Sequence, residues 1–254
     1  MMKNRVLLAA VIAFVSAVGL ARAQAQPPNH ASDETIEVTG QPFVVLSKRY
    51  QRLERVFRRF DSYPAADRSG LTLHLKATIQ PGDRPGYGSG LMLRNGDEMI
   101  RLIPEPGNEI VFPRDAGLWD ANPPLYARLR PGETVSVGFF FTVTPADPTR
   151  FTQGEAKHWL NQLDRCIEDE GGFLIALLLP DTHKLTVEIA PNSRFEVVEN
   201  GTMHPLVVNQ GGTPYRFVFR PQDYPRDAVF QASKPLARIV LDLPFPLHGA
   251  LERK

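Results

Sequence analysis

The sequence predicts an α+β fold, mostly β, made of two tandem repeats, each an antiparallel sheet or sandwich with one amphipathic helix. Three observations predict it. Short apolar or alternating runs are separated by turn residues, and 23 of the 254 residues are proline, well above the usual ~5%. Proline breaks long helices and is confined to strand ends, edges and turns. Two stretches carry a helical stripe of apolar residues. The elements of the first half then recur, in the same order, in the second.

The chain opens with a short basic stretch, Met1 to Arg5, followed by Val6 to Leu20, apolar apart from Ser16 and Gly19. As a helix this run would rise about 22 Å, short of a ~30 Å hydrocarbon core. Ala21-Arg22-Ala23 supplies the small residues of a cleavage site, so residues 1–23 read as a secretory signal peptide, cut after Ala23 or Ala25. The mature chain is expected to be periplasmic or secreted, with no transmembrane segment. Residues 24–40 read as a flexible lead-in: Gln24 to Asp33 is polar with a proline pair, and Glu34 to Gly40 alternates like an edge strand. Residues 41–146 then form the first β-rich repeat and residues 147–254 the second.

Within the first repeat, Ser47 to Phe60 reads as a helix, because Tyr50, Leu53, Phe57 and Phe60 share one face. Leu71 to Ile79 alternates as a strand, Pro81 to Gly90 is a glycine-rich loop, and Thr134 to Val143 is a further strand. In the second repeat, Thr152 to Glu170 reads as a helix. Its stripe is Trp159, Leu160, Leu163 and Ile167, Thr152 and Glu155 form a capping box, and Gly171-Gly172 ends it. Phe173 to Leu179 reads as a buried strand and Leu236 to Leu243 as another. The halves align collinearly. Leu53 falls over Leu163, Arg55 over Arg165, and "KATIQP" (ending at Pro81) over "TVEIAP" (ending at Pro191), all at one offset. Asn95-Gly96 over Asn200-Gly201, and Phe112 over Phe217, follow at a slightly shorter offset. The change falls in the glycine-rich loop, where a length difference costs little. Each Asn-Gly reads as a type I′ hairpin turn. A groove between two such halves would be the natural ligand site.

The string "DETIEVTG", Asp33 to Gly40, resembles the short energising motif near the N-terminus of TonB-dependent outer-membrane receptors. The resemblance covers those eight residues alone. It implies an accessory factor that docks through its N-terminal strand, because the rest of the chain lacks the length and the lipid-facing pattern of that family's barrel.

Composition bounds the chemistry. A formal net charge of +1 gives no electrostatic reason to bind nucleic acid. With one cysteine, Cys166, the monomer has no internal disulfide, so stability must come from packing. No metal-binding, phosphate-loop or nucleophile motif is present: Ser89 in "GYGSG" lacks the glycine that a nucleophile elbow requires at Tyr87. No catalytic residue, metal ligand or cofactor is therefore assigned. The best candidate site is ligand-binding, on the basic first helix: Arg49, Arg52, Arg55, Arg58 and Arg59, opposed before Asp61 by Glu54 alone. Such a face suits an anionic envelope component or another envelope protein. The leading expectation is thus an exported, non-catalytic binding or assembly module of the periplasm or cell envelope. The alternative is an envelope hydrolase in the groove between the repeats, with His183, Asp181 and His74 as its acid–base residues. His74 alternates with the apolar residues of its strand and is expected to face solvent beside Thr72 and Lys76.

Overall fold

The strand Leu71–Gln80 shows how sequence becomes sheet here. Its apolar residues recur at every second position, and Leu71, Leu73, Leu75, Ala77 and Ile79 are all buried while the residues between them are half-buried or exposed. A pleated strand sends successive side chains to opposite faces, so this alternation fixes which face meets the core. The computed structural model describes residues 42–171, 184–242 and 248–254. The expected signal peptide, the expected lead-in and edge strand, the expected strand Phe173 to Leu179, and Asp181 and His183 lie outside them.

The elements follow in chain order. The first half holds β1 (Phe43–Arg49), α1 (Tyr50–Ser62), α2 (Ala65–Arg68), β2 (Leu71–Gln80), β3 (Arg84–Pro85), β4 (Met92–Asn95), β5 (Glu98–Arg101), β6 (Glu109–Ile110), α3 (Ala116–Ala121), β7 (Pro124–Arg128) and β8 (Thr134–Val143). The second half holds β9 (Arg150–Thr152), α4 (Gln153–Gly171), β10 (Lys184–Ile189), β11 (Ser193–Glu199), β12 (Thr202–Asn209), β13 (Tyr215–Phe219), β14 (Val229–Ala232), β15 (Arg238–Asp242) and β16 (His248–Leu251). The fold is mostly β, in three antiparallel sheets. A central sheet runs β13-β10-β15-β8-β2-β3, with β6 also on β2 and β16 on β8. One four-stranded sheet runs β1-β7-β4-β5 and the other β9-β14-β11-β12. In both small sheets the strand preceding a long helix stands at one edge and a hairpin stands at the other.

Two apolar clusters lie between these sheets and the helices. One gathers Leu53 and Tyr50 of α1 with Leu46, Leu93 and Leu125. The other gathers Leu160 and Leu163 of α4 with Phe151, Phe195 and Phe230. Val56, Phe57 and Phe139 pack against both clusters, so Gly40–Lys254 is one compact unit. Burying each such side chain contributes about 1.5–3 kcal/mol before conformational entropy is subtracted. On the core face of the central sheet, Leu75, Ala77 and Ile79 of β2 are matched at the sequence offset by Leu185, Val187 and Ile189 of β10, all buried.

Three local expectations are corrected. The first helix begins at Tyr50 rather than Ser47, because Ser47 to Arg49 complete β1, which pairs with β7 as far as Arg49 opposite Pro124. Arg49 therefore belongs to a strand. The two hairpins also differ. Asn200-Gly201 is the loop of β11–β12, with φ of 49° and 75°, as a type I′ turn requires. In the first half the loop is Gly96-Asp97, because Asn95 still pairs with Glu98. There the positive φ falls at Gly96 alone, at 62°, the pattern of a type II′ turn. The third correction, the position of His74, belongs to the next section.

Candidate functional site

Helix α1 lacks a side-chain cap of its own, since Arg49 at its N-cap makes no such bond. The segment after α3 supplies the missing acceptors. Asn122 Oδ1 accepts from the Gln51 backbone N–H at 3.1 Å, and the Pro123 carbonyl accepts from the Tyr50 N–H at 3.0 Å. Arg49 donates to the Asn122 carbonyl at 3.0 Å. The inward face carries Tyr50, Leu53 and Phe60, and also Glu54, which is 4% exposed. A buried carboxylate needs partners, and Glu54 has Arg114 at 3.3 Å and Arg58 at 3.5 Å. Arg114 also holds Asp61 at 2.6 Å, and Arg58 lies 3.6 Å over the ring of Trp119.

This sorts the five predicted arginines. Arg49 and Arg58 are tied into the structure by Asn122, Glu54 and Trp119. Arg59 lies 5.5 Å over Tyr63. Arg52 and Arg55 are exposed and have no hydrogen bond or ion pair, and Lys48 is likewise exposed and unpaired. Arg52, Arg55 and Arg59 recur at the three- and four-residue spacing that puts helical side chains in one row. Lys48, near the end of β1, adds a further exposed cation just before the helix.

The aligned face of α4 is built differently. Gln162, over Arg52 in the alignment, is 0% exposed. Its side-chain amide donates to the Ala66 carbonyl at 2.7 Å and the Ser69 carbonyl at 3.3 Å. Arg165, over Arg55, pairs with Asp67 at 2.8 Å. Cys166, over Val56, is buried and its carbonyl accepts from the Tyr63 hydroxyl at 3.0 Å. The stretch Tyr63 to Ser69, with α2 inside it, thus covers α4, and the thiol is a packing group.

His74 does not face open solvent. It lies on the outward face of the central sheet under a layer of neighbouring side chains. Its ring stacks on Phe140 with centroids 4.9 Å apart. Nδ1 meets Glu109 Oε1 at 2.8 Å, and Nε2 meets Thr142 Oγ1 at 2.8 Å. Arg238 of β15 donates to the other oxygen of Glu109 at 2.9 Å. An ionised carboxylate only accepts, so neutral His74 carries its proton on Nδ1 and accepts the Thr142 hydroxyl at Nε2. Burial pushes the His74 imidazole below its usual value, and Arg238 adds to this, against the opposing pull of Glu109. Burial would raise Glu109, but the Arg238 and His74 bonds outweigh it and hold the carboxyl below the usual range.

Thr142, His74 and Glu109 have the hydroxyl–imidazole–carboxylate order of a hydrolytic triad. The surroundings do not support attack. Thr142 is 9% exposed, near the end of the inner strand β8, opposite Thr72 on one side and Val240 on the other. Backbone N–H groups there are engaged in two ladders, so no preorganised pair is left to hold an oxyanion. His158 and His204 are exposed, and among the described residues no group of three His, Cys, Asp or Glu side chains could hold a metal ion.

Sequence reasoning missed Glu109, Phe140, Thr142 and Arg238. Phe140 and Thr142 carried a usable signal, since they alternate with the inward Phe139, Phe141 and Val143 and must share a face. Glu109 and Arg238 carried none, because their meeting depends on sheet order. No protein-family model, curated protein or solved structure matches this chain.

Proposed function

We propose that this chain is an exported, non-catalytic binding or assembly module of the periplasm or cell envelope, built from two tandem repeats, and that it meets its ligand through the basic row of α1. One observation carries the reading: Arg52 and Arg55 are exposed and unpaired, while the aligned residues of α4 are spent on internal contacts. Two exposed arginines with no structural duty, Arg52 and Arg55, suit an anionic partner. Because Val56 and Phe57 pack into the core, this helix has no free apolar face to insert, so the contact is electrostatic and weakens with salt.

The matching order of the two small sheets, each with its pre-helix strand at one edge and a hairpin at the other, supports the repeat reading. So does the shared parity of β2 and β10. The N-terminal charge and hydropathy pattern supports export. The test is co-sedimentation of the mature chain with vesicles containing an anionic phospholipid or lipopolysaccharide. Wild type binds at low salt. Arg52→Glu combined with Arg55→Glu abolishes binding without changing the urea midpoint. Absence of wild-type binding, or unchanged binding by the double variant, rejects the reading.

A further inference from the structure

The two halves meet in the central sheet where β15 and β16 of the second half both pair with β8, β16 over His248–Leu251 opposite Gly138–Val135. Strand β15 pairs with β8 only from Ile239 opposite Val143 to Leu241 opposite Phe141. By contrast β8 pairs with β2 along its whole length, from Leu71–Val143 to Gln80–Thr134. Beside this seam, on the outward face, one carboxylate serves both halves. Glu109 of the first half accepts from Arg238 of the second and from His74 of the first. Arg238 also lies 5.7 Å over Phe140, whose other contact is the His74 ring. We infer that the His74–Glu109–Arg238 network is a pH-gated latch across the seam between the halves.

Protonating His74 changes the network in two ways. Nε2 becomes a donor, so the Thr142 hydroxyl can no longer donate to it and must turn to accept. Two cations, His74 and Arg238, then share one carboxylate within a half-buried layer, which weakens the hold on Arg238. The other charged groups around His74 do not substitute for Glu109. Lys76 of β2 sits opposite Glu109 and adds positive charge. Glu188 of β10 stands opposite Arg238 in register but pairs with Arg216 at 3.5 Å. In register, β16 sets His248 opposite Gly138 of β8. The sign follows from the depressed folded-state value of His74: its contribution is fully present above about 6.5 and is lost as pH falls through the folded value. Acidification therefore loosens the latch first through His74, and protonation of Glu109 releases Arg238 at lower pH still.

The test is amide hydrogen exchange of Ile239, Val240 and Leu241, corrected for the intrinsic pH dependence of exchange, at about pH 7.5 and about pH 4.5, the lower value set well below the ordinary His value because burial lowers His74. Wild type is expected to lose protection at these amides roughly threefold or more at the lower pH, while the β2–β8 amides stay protected. Arg238→Gln is expected to show the lower protection at both pH values, and His74→Gln to show no pH-linked loss. Equal wild-type protection at the two pH values overturns the inference, as does the same loss in folded His74→Gln. If His74→Gln does not fold, Arg238→Gln decides: a pH-linked loss as large as that of wild type overturns it.

Discussion

In α4 the side chain of Gln162 is wholly buried, with its amide on the Ala66 and Ser69 carbonyls. In α1 the aligned Arg52 is exposed and touches no partner. Three residues on, Arg165 holds Asp67 where Arg55 holds nothing. The inward faces of the same helices agree: Leu53 and Leu163 are 4% and 0% exposed. The two helices thus both bury a leucine at the aligned position, while their outer faces carry different side chains and contacts. The face of α4 was used to fasten the stretch between α1 and β2. The face of α1 was left with charge to spare, and an unspent charge is a better guide to binding than a paired one.

The sharpest way to break the comparison is through its inward side. Leu53→Ala and Leu163→Ala each delete a buried side chain, and each should cost about 2–5 kcal/mol by urea unfolding. A loss in one and none in the other would mean that the two leucines do different jobs. A smaller effect sharpens the contrast at the helix starts. The Thr152 hydroxyl accepts from the Glu155 N–H at 3.1 Å, and Glu155 accepts from the Thr152 N–H at 2.7 Å. Thr152→Ala should therefore cost about 1 kcal/mol. Arg49→Ala, at the start of α1, should stay within about 0.5 kcal/mol, because Asn122 rather than Arg49 caps that helix.

Much of this architecture could be read from the residues, and the reasons differ by element. The strand β2 announced itself by alternation, and the capping box of α4 by Thr152 and Glu155, since both signals are local. The two apolar clusters are filled with different residue types. One cluster is rich in leucines, and the other holds packed phenylalanines such as Phe151, Phe195 and Phe230. Packing conserves volume and burial rather than residue identity. The site was only half readable. Charge and spacing pointed to the arginine row but could not separate Arg58, held by Trp119 and Glu54, from Arg52 and Arg55. The His74 network was out of reach, because Arg238 lies far along the chain from Glu109 and only the order β15-β8-β2-β6 brings them together.

The most direct test exchanges the two aligned residues and reads binding and stability in the same chains. Arg52→Gln should weaken vesicle binding with an unfolding midpoint that does not move. Gln162→Arg, which buries a cation against the Ala66 and Ser69 carbonyls, should lower the midpoint and leave binding at native temperature intact. If Arg52→Gln instead destabilises the fold and spares binding, or Gln162→Arg is tolerated without cost, the division of labour between the two helices is contradicted.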